Sequence, residues 1–141
     1  MNESAVQRIA ANYALIADRM PQLTSSFYTR LFEIAPQVRP LFRIDIDVQS
    51  QHLAATLALI VRNLRLMDVL EESLMELGAG HAKVGVRPEH YPIVARTMVQ
   101  TLRDGSGDAW SDQLEADWTA VFERVCRIMM QGAVRNASSG A

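Results

Sequence analysis

The apolar residues of this chain recur at intervals of three and four along nearly its whole length, and no stretch alternates apolar and polar for long enough to make a strand. That period buries one face of a 3.6-residue helix, so an all-α fold is expected. One stripe, Gln49, Leu53, Leu57, Ile60 and Leu64, predicts a helix over 48–66. A second, Leu70, Leu74, Leu77 and His81, predicts a helix over about 68–80 that ends at the histidine. Pro88 and Glu89 open another helix, with Tyr91, Val94, Met98 and Leu102 inward, and Leu114, Trp118, Val121, Val125 and Ile128 mark the last, over 111–134. Upstream, a helix over 4–20, capped by Asn2 or Ser4, is broken by Pro21, which starts a further helix carrying Phe27, Tyr28, Leu31 and Phe32. Pro36 and Pro40 bracket a short turn that Phe42 closes. Gly78, Gly80 and Gly85 are expected to loosen the chain beside His81, the run DGSGD to form a loop, and the tail from about residue 135 to fray.

Length and charge narrow the function. At 141 residues the chain is one domain, and 14 Lys+Arg against 16 Asp+Glu leave no basic face for a nucleic acid. The single cysteine, Cys126, lies in an apolar helical stretch and reads as a small buried hydrophobe in a reducing, cytoplasmic setting. The N-terminus lacks the pattern of a secretory signal, and the longest nearly unbroken apolar run, 53–61, is about half of a bilayer span, so no membrane partner is expected. Gly78, Gly80 and Gly85 have the wrong spacing and context for a dinucleotide loop, and there is no P-loop. His52, His81 and His90 lack the spacing of a zinc site, no nucleophile stands with a base, and no C-x-x-C-H attaches a haem covalently.

What remains is polar groups on apolar stripes. Tyr28, Gln49 and His81 each stand on the inward face of a different helix. Singly they read as a core phenol, a helix-start amide and a hydrogen-bonded structural histidine. Three such intrusions into one small core are costly, and a cofactor that uses them removes the cost.

Four segments, SFYTRLFEIAPQVRPLF, QSQHLAATLALIVRNL, LGAGHAKVGVRPEHYPIV and DAWSDQLEADWTAVF, resemble the bacterial single-domain globins and the globin domain of flavohaemoglobins, from about residue 4 to 130. The resemblance implies a single globin domain over 1–141, a three-over-three helical sandwich around a non-covalent haem b. It makes His81 the proximal iron ligand, Tyr28 and Gln49 the distal donors, and Leu53 the apolar wall limiting ligand size. Phe42 would stack on the haem face, and Leu77, Val86, Val94 and Met98 would line the pocket. Tyr91 would hydrogen-bond the ligating imidazole and tune its basicity. His52 would contact a propionate at the haem edge or simply be exposed, with ligation of the iron as the alternative, Arg43 and Lys83 are candidate propionate partners whose default is a solvated charge, and His90 is expected to be exposed. One departure stands out. Where flavohaemoglobins carry a glutamate in the last helix, this chain has Gly132, Ala133 and Val134, and no acidic residue follows Glu123. A less anionic imidazole favours reversible binding over O–O cleavage. The implied function is therefore reversible, tight binding of oxygen, with CO and NO as further ligands, by a monomer or homodimer. The alternatives are a nitric oxide dioxygenase, with Tyr28 and Gln49 catalytic and a separate NAD(P)H-dependent reductase, or a haem-based sensor or electron-transfer globin.

Overall fold

The computed structural model describes residues 1–43 and 45–139, with side chains up to residue 135. The expected fraying of the tail falls outside the described side chains. As expected the fold is all-α, and no strand occurs among the described residues. Its helices are α1 (Glu3–Ile16), α2 (Met20–Ile34), α3 (Ile46–Arg62), α4 (Glu71–Lys83), α5 (His90–Ser106) and α6 (Asp112–Ser139). None is long and apolar enough to cross a membrane among the described residues.

Local chemistry sets the boundaries. Asn2 caps α1, its Oδ1 accepting from the Ala5 N–H at 2.8 Å, with Glu3 at the positive end of the helix. The first helix ends at Ile16 rather than near residue 20, because the Pro21 ring crowds the carbonyl four residues back. A 3-10 turn, Ala17–Arg19, bridges to α2, where Pro21 sits in the first turn without losing a bond. Asp45 caps α3 through the Asp47 N–H at 2.8 Å. Between α3 and α4 the chain runs through a 3-10 stretch, Leu64–Leu70, kinked at Leu66.

Two expectations about glycine are corrected. The chain does not loosen at Gly78 and Gly80: α4 continues through them and through His81 to Lys83, and only Gly85, at φ 104°, makes a turn. Gly78 is buried because α4 and α6 touch backbone to backbone there. A Cβ on Gly78 would lie 1.9 Å from the Met129 carbonyl oxygen, and one on Gly132 would lie 2.0 Å from that of Met75. DGSGD is not a loop either, since α5 extends to Ser106 and the chain reverses at Gly107, φ 55°.

The core gathers the inward stripes of all the helices, with Ile9, Ile16 and Trp118 fully buried. Inside it a polar chain ties three helices. The Trp118 Nε1–H donates to Asn12 Oδ1 at 3.0 Å, Asn12 Nδ2 donates to Ser106 Oγ at 2.9 Å, and that hydroxyl donates to the Leu102 carbonyl at 2.7 Å. Asn12, Ser106 and Trp118 each find a partner in this hydrogen-bonded series, which holds α1, α5 and α6 in one register. Beside it Arg8 grips Asp117 through two hydrogen bonds, at 2.6 and 3.0 Å.

Candidate functional site

A cavity of about 340 Å³ opens between α2, α3, α4, α5 and α6. The residues singled out on separate stripes meet in its wall. Tyr28, Gln49 and Leu53 line it from α2 and α3, Leu77 and His81 from α4, and Tyr91, Val94 and Met98 from α5. Phe42 and Val86 line it from the connections between helices.

On the α4 wall His81 Nδ1 lies 2.8 Å from the Leu77 carbonyl oxygen. A carbonyl can only accept, so Nδ1 carries the hydrogen and Nε2 keeps its lone pair. This bond spans one helical turn and therefore exists because α4 stays helical through Gly78 and Gly80. Burial pushes the imidazole's pKa down, with the Leu77 bond opposing, which favours the neutral ring that a metal requires. The expected hydrogen bond from Tyr91 is not what fixes the ring, since its Nδ1 hydrogen goes to Leu77. Tyr91 is buried in the wall, its pKa raised by burial and next by the nearby Cys126.

On the opposite side Tyr28 is 3% exposed. Its ring meets Phe27 edge-on at 4.9 Å and Phe42 edge-on at 5.4 Å, and Phe42 in turn meets Phe32 at 5.3 Å. This aromatic set holds the phenol at one position. Burial raises the Tyr28 pKa, and the neighbouring Gln49 side chain opposes that rise. The pair sits where α3 begins, because the Asp45 cap starts that helix early enough to place Gln49 in its first turns.

His52 lines the cavity and is exposed, and Arg43 and Lys83 are exposed, as a solvated charge would be, and do not line it. His90 is not exposed: it is half-buried and forms part of the wall. Sequence periodicity missed it because it stands beside Tyr91 rather than on that residue's stripe. Cys126 also lines the cavity, and burial pushes its thiol up to about 11, so it is a protonated, unreactive wall residue.

The wall is mostly apolar, and besides His52 and His90 it carries the His81 imidazole, with a free lone pair on Nε2, and the Tyr28 and Gln49 side chains as hydrogen-bond donors. Among the described residues no group of three or more His, Cys, Asp or Glu could hold a bare metal ion. A metal at His81 would have to arrive with its other ligands supplied by a flat, largely apolar molecule. The donor set thus fits a haem, with His81 to hold the iron and Phe42, Val86, Val94 and Met98 to enclose the ring.

Comparison with known proteins agrees. The family model described as Globin matches residues 25–129, well over half of the chain. An anaerobic nitrite reductase of Oryza sativa subsp. indica is 29% identical over 105 residues, covering 70% of this chain and 72% of that protein. A flavohemoprotein of Rhizobium meliloti (strain 1021) is 26% identical over 124 residues, which cover 86% of this chain. The chain spans only 31% of that relative's length. Among solved structures, a bacterial globin from Campylobacter jejuni superposes with a TM-score of 0.85 at 18% identity, covering 97% of this chain and 99% of that one. An engineered carbene transferase from Rhodothermus marinus gives 0.89 at 19% identity, covering 99% and 97%. With a family model matched over most of its length and a helical fold shared with solved globins, the chain belongs to the globin family.

Proposed function

We propose that the protein is a haem b globin that binds oxygen reversibly, with His81 as the proximal ligand and Tyr28 and Gln49 as the distal donors. The observation that carries this reading is the fixed imidazole: the bond from Nδ1 to the Leu77 carbonyl aims the Nε2 lone pair away from α4. Haem would supply gas binding at its iron. This chain's residues do the rest. Tyr28 and Gln49 offer hydrogen-bond donors to a ligand that gains negative charge on binding, Leu53 limits its size, and the apolar wall keeps water out. In the proximal wall, Cys126 is protonated and no carboxylate among the described residues lines the cavity. The ring is thus held by a neutral carbonyl, which supports reversible binding over peroxidase-like cleavage. The domain would be single, and CO and NO would bind at the same place.

The similarity to flavohemoproteins supports a second reading, nitric oxide dioxygenation with the same distal pair. That activity needs electrons, which an NAD(P)H-dependent reductase would supply, and the chain spans 31% of such a relative's length. Absorption spectra of the haem-reconstituted protein test the primary reading. A Soret band, a five-coordinate ferrous form and a CO adduct are expected, all lost in His81→Ala. No Soret band in the reconstituted wild type would overturn it, and sustained NO turnover with a reductase would promote the second reading.

A further inference from the structure

Haem b carries two carboxylates, yet neither lysine nor arginine is among the residues lining the cavity. The two cations that the sequence suggested for them, Arg43 and Lys83, stand outside its wall. The remaining polar hydrogens belong to neutral groups. Tyr28, Gln49 and His81 are already assigned, Thr56 donates to the His52 carbonyl at 3.0 Å, the Cys126 thiol is a weak donor, and no hydrogen bond among the described residues orients the His52 ring or the Tyr91 phenol.

His90 is different because the backbone prepares it. The Arg87 N–H donates to His90 Nδ1 at 2.9 Å, while the His90 N–H donates to the Arg87 carbonyl at 3.0 Å. This reciprocal pair closes the corner between α4 and α5 and holds the ring against the first turn of α5. An Nδ1 that accepts has no hydrogen, so the ring's hydrogen is on Nε2. The Arg87 guanidinium does not compete with that donor at the wall, since it is exposed and paired with Glu89 at 3.0 Å.

We infer that His90 holds a carboxylate of the bound haem through its Nε2–H, a neutral donor of fixed tautomer serving where a cation was expected. The inference rests on the haem reading above. A donor already oriented by its backbone loses little freedom on binding, and a hydrogen bond to a charged partner is among the stronger kinds.

The test separates the ring's two nitrogens. His90→Asn keeps an acceptor near the position of Nδ1 for the Arg87 N–H but has nothing at Nε2; His90→Gln returns a donor near Nε2. Haem loss to an excess of an apoglobin acceptor is followed by the Soret band, with haem and with haem dimethyl ester, which lacks free carboxylates. The expected result is roughly tenfold faster haem loss in His90→Asn, near-normal loss in His90→Gln, and no difference between variants with the ester. Equal acceleration with haem and with ester would mean that His90 only closes the corner, and an unchanged rate would mean that it does not touch the cofactor. Either overturns the inference while leaving the haem reading intact. Absence of a Soret band in the wild type would instead remove the haem reading and this inference with it.

Discussion

Replacing Gly78 by alanine adds one methyl group to the helix that carries His81, and its consequence follows from a distance. The added Cβ would lie 1.9 Å from the Met129 carbonyl oxygen, where ordinary contact begins at 3.4 Å. That oxygen belongs to the backbone of α6 and cannot rotate aside as a side chain could. The helices must part by more than an ångström, and a gap of even about 0.5–1 Å forfeits a quarter to a half of each van der Waals contact across it. Overpacking costs about 1–3 kcal/mol and more where backbone must move, and the gain in helix propensity returns about 1 kcal/mol. From the upper end of that cost, a net loss of about 2 kcal/mol or more is expected. Gly80→Ala is the internal control: it lies two residues on in the same helix, nothing stands within 4 Å of its added Cβ, and propensity alone should stabilise it by up to about 1 kcal/mol. Denaturant unfolding of the haem-free proteins reads both signs. In the haem-bound proteins, the ferrous iron–histidine stretching band should shift in Gly78→Ala and stay in place in Gly80→Ala, because His81 is one turn beyond the contact. Equal midpoints for the two variants would refute the close approach of α4 and α6.

Three further outcomes are expected. Asn12→Ala leaves the Trp118 indole N–H buried without its acceptor and should lower stability by about 2–4 kcal/mol, read as a drop in the thermal midpoint; a change under 1 kcal/mol would mean that water or repacking replaces the bond. The Arg8 guanidinium holds the Asp117 carboxyl below its ordinary pKa. Its contribution is therefore present above the unfolded value, about 4, and is lost as pH falls through the lower folded value. Arg8→Met should move the acid-unfolding midpoint upward in circular dichroism, and superimposable acid curves would contradict the pairing. Tyr28→Phe should speed oxygen dissociation by roughly tenfold in stopped-flow, with Gln49→Val acting less than additively because the two side chains are neighbours in the same wall. Strict additivity would show that they act independently.

Much of the fold and the identity of three polar residues that line the cavity could be read from the chain, because helical period, capping by Asn2 and Asp45 and the placement of Pro21 are local matters. Tyr28, Gln49 and His81 stood out because each interrupts an apolar stripe, and burial of a polar group is costly wherever the stripe ends up. Failures came where a residue's meaning depends on something distant. Gly78 and Gly132 look like loosening residues in isolation, yet each is small because a backbone more than 50 residues away in sequence presses on it. His90 looks like a surface residue by periodicity, but the Arg87 backbone turns its ring into the cavity wall. Asn12 gave no signal until Trp118 and Ser106 came within hydrogen-bond distance. The sequence by itself determined that there are helices with polar groups on their inner faces. Tertiary structure decided which backbones touch, which hydrogen of each imidazole is committed and which donor faces the cavity, because close contact and hydrogen-bond partnership are properties of pairs brought together by folding.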